Sequence, residues 1–140
     1  MGDLTENVEA GFENIEIVIA ALPDHSNIHN LSILELEGTG GILFTFYNGA
    51  ENILKQILLE VKTGLPEDDS WHTNILNLSV EENIISDECK TSLSQYLAFR
   101  NFFRSNYSLN MDANQLQPLV EEHNSTYTTF RNEVNSFLSA

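Results

Sequence analysis

Apolar residues recur along this chain at steps of three and four, the spacing of one face of an α-helix and not of a strand. Leu4, Val8, Phe12, Ile15, Ile19 and Leu22 form the first such run, so residues 4–22 are predicted as one amphipathic helix. Pro23 ends it, because a proline pushes the residue before it out of helical backbone. "DHSNIHN" at 24–30 reads as a polar connector, its Asp and Asn side chains suited to bonding their own backbone in turns.

A second run goes from Ile28 to about Lys62 through Leu31, Leu34, Ile42, Phe46, Ile53, Ile57 and Val61. "EGTGG" at 37–41 interrupts it, each glycine weakening a helix interior by about 1 kcal/mol. Either a turn splits two helices there, or the glycines admit a close neighbour; one long, kinked helix is the expectation. In "TGLPEDDSW", Gly64 suits a C-cap, Pro66 blocks continuation, and Asp69 or Ser70 suits the next N-cap. A short helix over about 71–79 follows, with Trp71, Ile75 and Leu78 on its apolar side. "SDE" at 86–88 opens another that runs to about Tyr107, and Asp112 caps a last one over roughly 113–138. No stretch alternates with period two over a strand's length. The expected fold is all-α: a bundle of about five helices in a single domain spanning residues 1–140.

Composition narrows the classes. The 140 residues carry 41% hydrophobic content, enough for a packed core, and a net charge of −15 from 21 Asp+Glu against six Lys+Arg. Non-specific adhesion to nucleic acid, DNA included, or to an anionic membrane is disfavoured over most of such a surface. The single cysteine, Cys89, excludes an internal disulfide framework and fits a reducing compartment. It stands among Asp87, Glu88 and Lys90 with no second cysteine nearby, and reads as an ordinary helix residue. The first sixteen residues are acidic and lack the basic start of an export signal. "IVIAAL" is far shorter than the ~20 apolar residues of a membrane helix, so the expectation is cytoplasmic, with no membrane contact.

One stretch departs from all this. In "YLAFRNFFRSNY", residues 96–107, two of the six cations fall one helical turn apart among aromatics. No Asp or Glu occurs between Thr91 and Met111, which leaves the rest of the chain more acidic than the total. On a helix, Leu93, Leu97, Arg100, Arg104 and Tyr107 share a face that begins apolar and ends basic, at the edge of the buried stripe. Neither arginine has a carboxylate three or four residues away. Acids on neighbouring helices are one answer. An anion pocket for phosphate or an RNA backbone, helped by Asn101, Ser105, Asn106 and Tyr107, is the other. Periodicity and composition leave both standing.

At these residues the chain resembles a known family. "FRNFFRSNY" resembles the "FRHxFRHxY" core of HepT-like proteins, members of the HEPN superfamily of helical ribonuclease toxins. "FTFYNGAENILKQI" resembles that family's long second helix, "GLPEDDSWHTNIL" its connector, and the terminal "FRNEVNSFL" its last helix, in the same order over roughly residues 30–138. The resemblance implies α-helical homodimers whose arginine helices face each other across the two-fold axis and form an RNA-cleaving cleft. It implies a partner too, an MNT-type nucleotidyltransferase antitoxin that transfers AMP to a tyrosine, here Tyr107. By position Arg100 is the motif arginine and Asn101 the polar residue after it, while Arg100, Arg104 and Asn106 would hold RNA. No resident cofactor or metal is implied.

One departure from the motif bears on the chemistry. The motif is Arg, four to six residues, then His, but Ser105 stands where the histidine belongs and no histidine follows Arg100 before His123. An imidazole titrates near neutrality and serves as general acid or base; a serine hydroxyl does not, and losing such a group costs about 10²- to 10⁴-fold. RNA cleavage is therefore expected to be weak or lost. A non-catalytic helical adaptor is the alternative. His72 reads as structural near a helix start, His25 and His29 as surface residues rather than a zinc pair, and His123 as solvated.

Overall fold

Residues 2–61, 71–105 and 111–140 are described by the structure, a computed structural model. Five α-helices and one 3-10 helix account for nearly all of them: α1 Gly2–Ile19, the 3-10 helix His25–Asn30, α2 Ile33–Val61, α3 Trp71–Glu81, α4 Asp87–Ser105 and α5 Ala113–Ser139. No strand occurs among the described residues, and the all-helical expectation holds. The 64–70 connector, with its proposed caps, lies outside them.

α2 is the spine. Its 29 residues extend about 44 Å at 1.5 Å per residue, and α1, α3, α4 and α5 all pack against it. Ser32 and Glu35 start it with a reciprocal capping box: Glu35 N–H donates to Ser32 Oγ at 3.1 Å, and Ser32 N–H to the Glu35 carboxylate at 2.9 Å. The helix runs unbroken through Gly38, Gly40 and Gly41, so the glycine cluster is not a turn. It serves close approach instead. A Cβ on Gly40 would stand 2.9 Å from Met111 Sδ and 3.0 Å from Phe103 Cε1.

α1 fits α2 through two further notches. Ile53 sits over Gly11 and Ile15 over Gly49, each with an isoleucine carbon under 3 Å from where a Cβ would be. Leu4, Val8, Phe12 and Ile15 form its buried stripe, as their spacing predicts. The helix ends at Ile19, earlier than the expected Leu22; Ala21 and Leu22 instead close tight turns onto Val18 and Ile19 carbonyls.

"DHSNIHN" is more than a connector. Asp24 accepts from Ser26 N–H at 2.9 Å and caps a 3-10 helix whose Ile28 is fully buried, and this piece packs on α5. Ile28 and Leu31 therefore belong to that packing and not to the second long helix, which begins at Ile33.

α5 is tied to α1 by a polar clamp. Arg131 pairs with Glu16 and, at 2.9 Å, with Glu9, its guanidinium 5.2 Å from the Phe12 ring centroid. Tyr127 donates its hydroxyl to Glu16 at 2.6 Å. α4 enters under a cap formed at long range: Ser86 gives N–H and O–H to the two oxygens of Glu133 on α5 while its Oγ accepts from Cys89 N–H. Tyr96 then donates to the Leu119 carbonyl at 2.6 Å and meets Phe46 edge-on at 5.2 Å, which fixes the rotation of α4 against α2 and α5. Among the described residues no helix is long and apolar enough to cross a membrane.

Candidate functional site

The rotation set by Tyr96 decides where α4 carries its arginines. Tyr96, Phe99 and Arg100 turn inward, so Arg100 is not at the rim of the apolar stripe but within it, 9% exposed. Arg104, one turn later, is exposed. Gly40, Phe44 and Asn48 follow each other at four-residue steps on α2, and hence on one face of it, opposite the end of α4. Phe103 stacks obliquely on Phe44 at 5.3 Å, close over Gly40, and the Arg100 guanidinium lies 5.8 Å from the Phe44 centroid.

The partners of Arg100 are amides. Its Nε–H donates to Asn48 Oδ1 at 2.9 Å, and its Nη1 to Asn101 Oδ1 at 3.0 Å. Among the described residues neither Arg100 nor Arg104 has a carboxylate within ion-pair distance, although the chain holds 21 acids. Arg131, by contrast, takes two neighbouring acids, Glu9 and Glu16, where α5 meets α1. Among the described residues, then, the arginine helix makes no ion pair with an acid of its own subunit.

That difference has an electrostatic consequence. An amide oxygen satisfies a buried N–H but carries no net charge, so the guanidinium keeps its full +1 in a poorly solvated place. A guanidinium has five N–H donors, of which two are engaged by the described residues, leaving others that can meet an anion. Such a fork suits the paired oxygens of phosphate or carboxylate, and Arg104 supplies a second charge one turn away.

Beside the arginine, Tyr47 is fully buried and Glu51 is 5% exposed. Burial first, then the Glu51 carboxylate, hold the Tyr47 phenol well above its ordinary pKa, while Arg100 acts in the opposite direction. Tyr47 is neutral at any physiological pH and is no candidate nucleophile.

Among the residues singled out in the sequence, Arg100 and Asn101 touch; Arg104 and Ser105 lie on the exposed end of the same helix. Asn106 and Tyr107 fall outside the described residues. Asn48 was missed. It belongs to the "FTFYNGAENILKQI" stretch, but its link to Arg100 spans 52 positions and left no local signal.

Two of the described histidines are engaged elsewhere. His29 Nε2 donates to Asn114 Oδ1 at 3.0 Å, and His123 is half-buried, not solvated, with Nδ1 against the Val120 carbonyl. His25 is exposed on the 3-10 helix, and the side chain of His72 is outside the described set.

Comparisons with known proteins bear on this arrangement. The profile of a family described as "HepT-like protein" matches residues 39–140, which contain α4, α5 and most of α2. A solved structure, that of YutE from Bacillus subtilis, a cytosolic protein of unknown function, superposes with a TM-score of 0.71 at 18% identity, covering 96% of this chain and 90% of its own. That likeness is one of fold. No curated protein sequence matches significantly.

Proposed function

This chain belongs to the HepT-like family of the HEPN superfamily, and from that premise we propose that it is a toxin-type RNA-binding protein. In this reading two subunits bring their Arg100/Arg104 helices together across a two-fold axis. Each Arg100 offers its free N–H donors to a phosphodiester, and each Arg104 adds charge at the mouth of the cleft. An MNT-type nucleotidyltransferase would silence the site by placing AMP on Tyr107, adding negative charge where the arginines must meet RNA.

The observation that carries this reading is the partner set of Arg100. A buried cation costs several kcal/mol to desolvate, and it is held here by two neutral amides in a molecule of net charge −15. An external anion is the natural complement.

Strand cleavage needs a further group. The arginines can stabilise a pentavalent phosphate as charge builds on it, but a base must take the 2′-hydroxyl proton and an acid must protonate the leaving oxygen. Ser105 does neither at neutral pH, so this chain binds RNA and cuts it slowly or not at all.

Purified protein incubated with total RNA tests this, compared with Ser105→His and Arg100→Ala. Ser105→His is expected to cleave at least about 100-fold faster than the wild type, and Arg100→Ala to lose binding. Equal cleavage by wild type and Ser105→His defeats the histidine account; equal RNA affinity in Arg100→Ala defeats the site.

A second reading follows from the same free donors. An adaptor would present the arginines to carboxylates of a protein partner, and polyanion competition separates the two. An unrelated single-stranded RNA competes with the first kind of complex, with a salt slope set by the phosphates contacted, and leaves a carboxylate-bearing protein partner bound.

A further inference from the structure

Asn48 is conspicuous for what it is not. It lies on α2, within hydrogen-bond distance of a buried guanidinium, at the place where an aspartate of nearly the same shape would form an ion pair. The chain uses that device freely at Arg131, with Glu9 and Glu16. Against Arg100 it puts an amide. We infer that Asn48 is a positioning residue: it anchors the Nε–H edge of Arg100, and its neutrality keeps the cation available to a phosphodiester. This inference rests on the RNA-binding reading for its ligand, but not for its geometry.

Three features support it. Arg100 is nine-tenths buried, so its rotamer is set by what surrounds it rather than by water. The hold is double and asymmetric: Nε is tied across the helix interface to α2, Nη1 to the exposed neighbour Asn101, and the Phe44 ring lies near the guanidinium. Among the described residues Nε and one Nη1 hydrogen are committed, and both hydrogens of Nη2 stay available as charge-assisted donors to phosphate oxygens. An arginine free to rotate would lose side-chain entropy on binding; one already fastened loses less.

Charge and geometry can be separated by substitution. Asn48→Asp retains an acceptor for Nε and supplies the missing carboxylate. Asn48→Ala removes the acceptor and leaves charge unchanged. Single-stranded fluorescent RNA at a series of salt concentrations reads affinity and slope, circular dichroism melting reads the fold, and a proton–nitrogen spectrum of arginine side chains reads protection of the Arg100 Nε–H.

Asn48→Ala is expected to bind about tenfold more weakly with an unchanged salt slope and an unprotected Nε–H. Asn48→Asp is expected to keep the protected Nε–H, to melt no lower than wild type, and to bind at least about tenfold more weakly still. Its salt slope falls by about one phosphate contact per site. A protected Nε–H in Asn48→Ala overturns the positioning role. Wild-type affinity in Asn48→Asp, with the Nε–H still protected, overturns the role of neutrality. If the wild type and Arg100→Ala bind RNA alike, it is the RNA reading that falls, and the Nε–H spectra still decide whether Asn48 holds Arg100.

Discussion

Phe103 fills the space that a side chain on Gly40 would need, its Cε1 3.0 Å from the position of a Cβ there. The end of α4 thus reaches α2 only because residue 40 is glycine, and Arg104 stands one residue beyond that contact. Gly38, two positions earlier on the same helix, faces open space.

The two glycines therefore predict opposite outcomes. Gly38→Ala gains helix propensity without a clash and is expected to stabilise by about 1 kcal/mol. Gly40→Ala gains the same propensity but must displace Phe103 and Met111, and is expected to lose about 1–3 kcal/mol. Urea denaturation of both variants checks this; equal stability would mean that the α2–α4 contact yields freely.

The arginines predict a second contrast. Arg131→Ala removes two part-exposed ion pairs, the stem packed near Phe12 and the charge beside Tyr127, for a combined loss of about 1–2 kcal/mol that shrinks in high salt. Arg104→Ala touches no described partner and is expected to leave stability within about 0.5 kcal/mol. Thermal melts at low and high salt measure both, and a destabilised Arg104→Ala would show that this side chain holds the fold.

Tyr107 carries the modification proposal. Incubation with ATP, magnesium and a cognate nucleotidyltransferase is expected to add one or more AMP masses to the protein, and none to Tyr107→Phe. A mass gain that survives Tyr107→Phe assigns the acceptor elsewhere.

Alkaline pH should loosen the bundle. Burial first, then Glu133, push the Cys89 thiol from its ordinary 9.0 up to about 12. Tyr47, Tyr96 and Tyr127 are also raised above their ordinary 10.0, burial being the largest cause for each. Raised pKa values mean that the folded state keeps protons the unfolded chain releases. This stability is complete below about pH 9 and drains away as pH rises through the unfolded thiol and phenol values. The melting temperature should fall from about pH 9 upward, and native Cys89 should alkylate far more slowly than in urea. A melting temperature flat to about pH 11 would show that these groups are solvated.

Much of the bundle was legible in the order of residues. Leu4, Val8, Phe12 and Ile15 sit three or four apart and are all buried; Ser86 and Asp112 stand where helices begin; nothing alternates as a strand does. These features are local, because a helix bonds each residue to one four positions away and its caps act within a turn. The same locality exposed the candidate site as a basic, aromatic stretch free of acids. Local pattern misled where long-range packing won. "DHSNIHN" looked like a polar connector, yet Ile28 is buried in the packing between the 3-10 helix and α5. The "EGTGG" cluster left turn and close contact undecided until Phe103 and Met111 were seen against Gly40.

The chain by itself determined that there would be helices, roughly where each would start, and that two cations would share a face with no acid three or four residues from either. Only the tertiary structure decided which of the two is buried and what meets it. Asn48 reaches Arg100 across 52 positions because α2 and α4 pack side by side, and α4 is turned by Tyr96 against Phe46 and Leu119. Backbone bonding is repetitive and can be read from spacing. The partner of a buried charge depends on how two separate helices are rotated, and that is set by the packing of every other side chain between them.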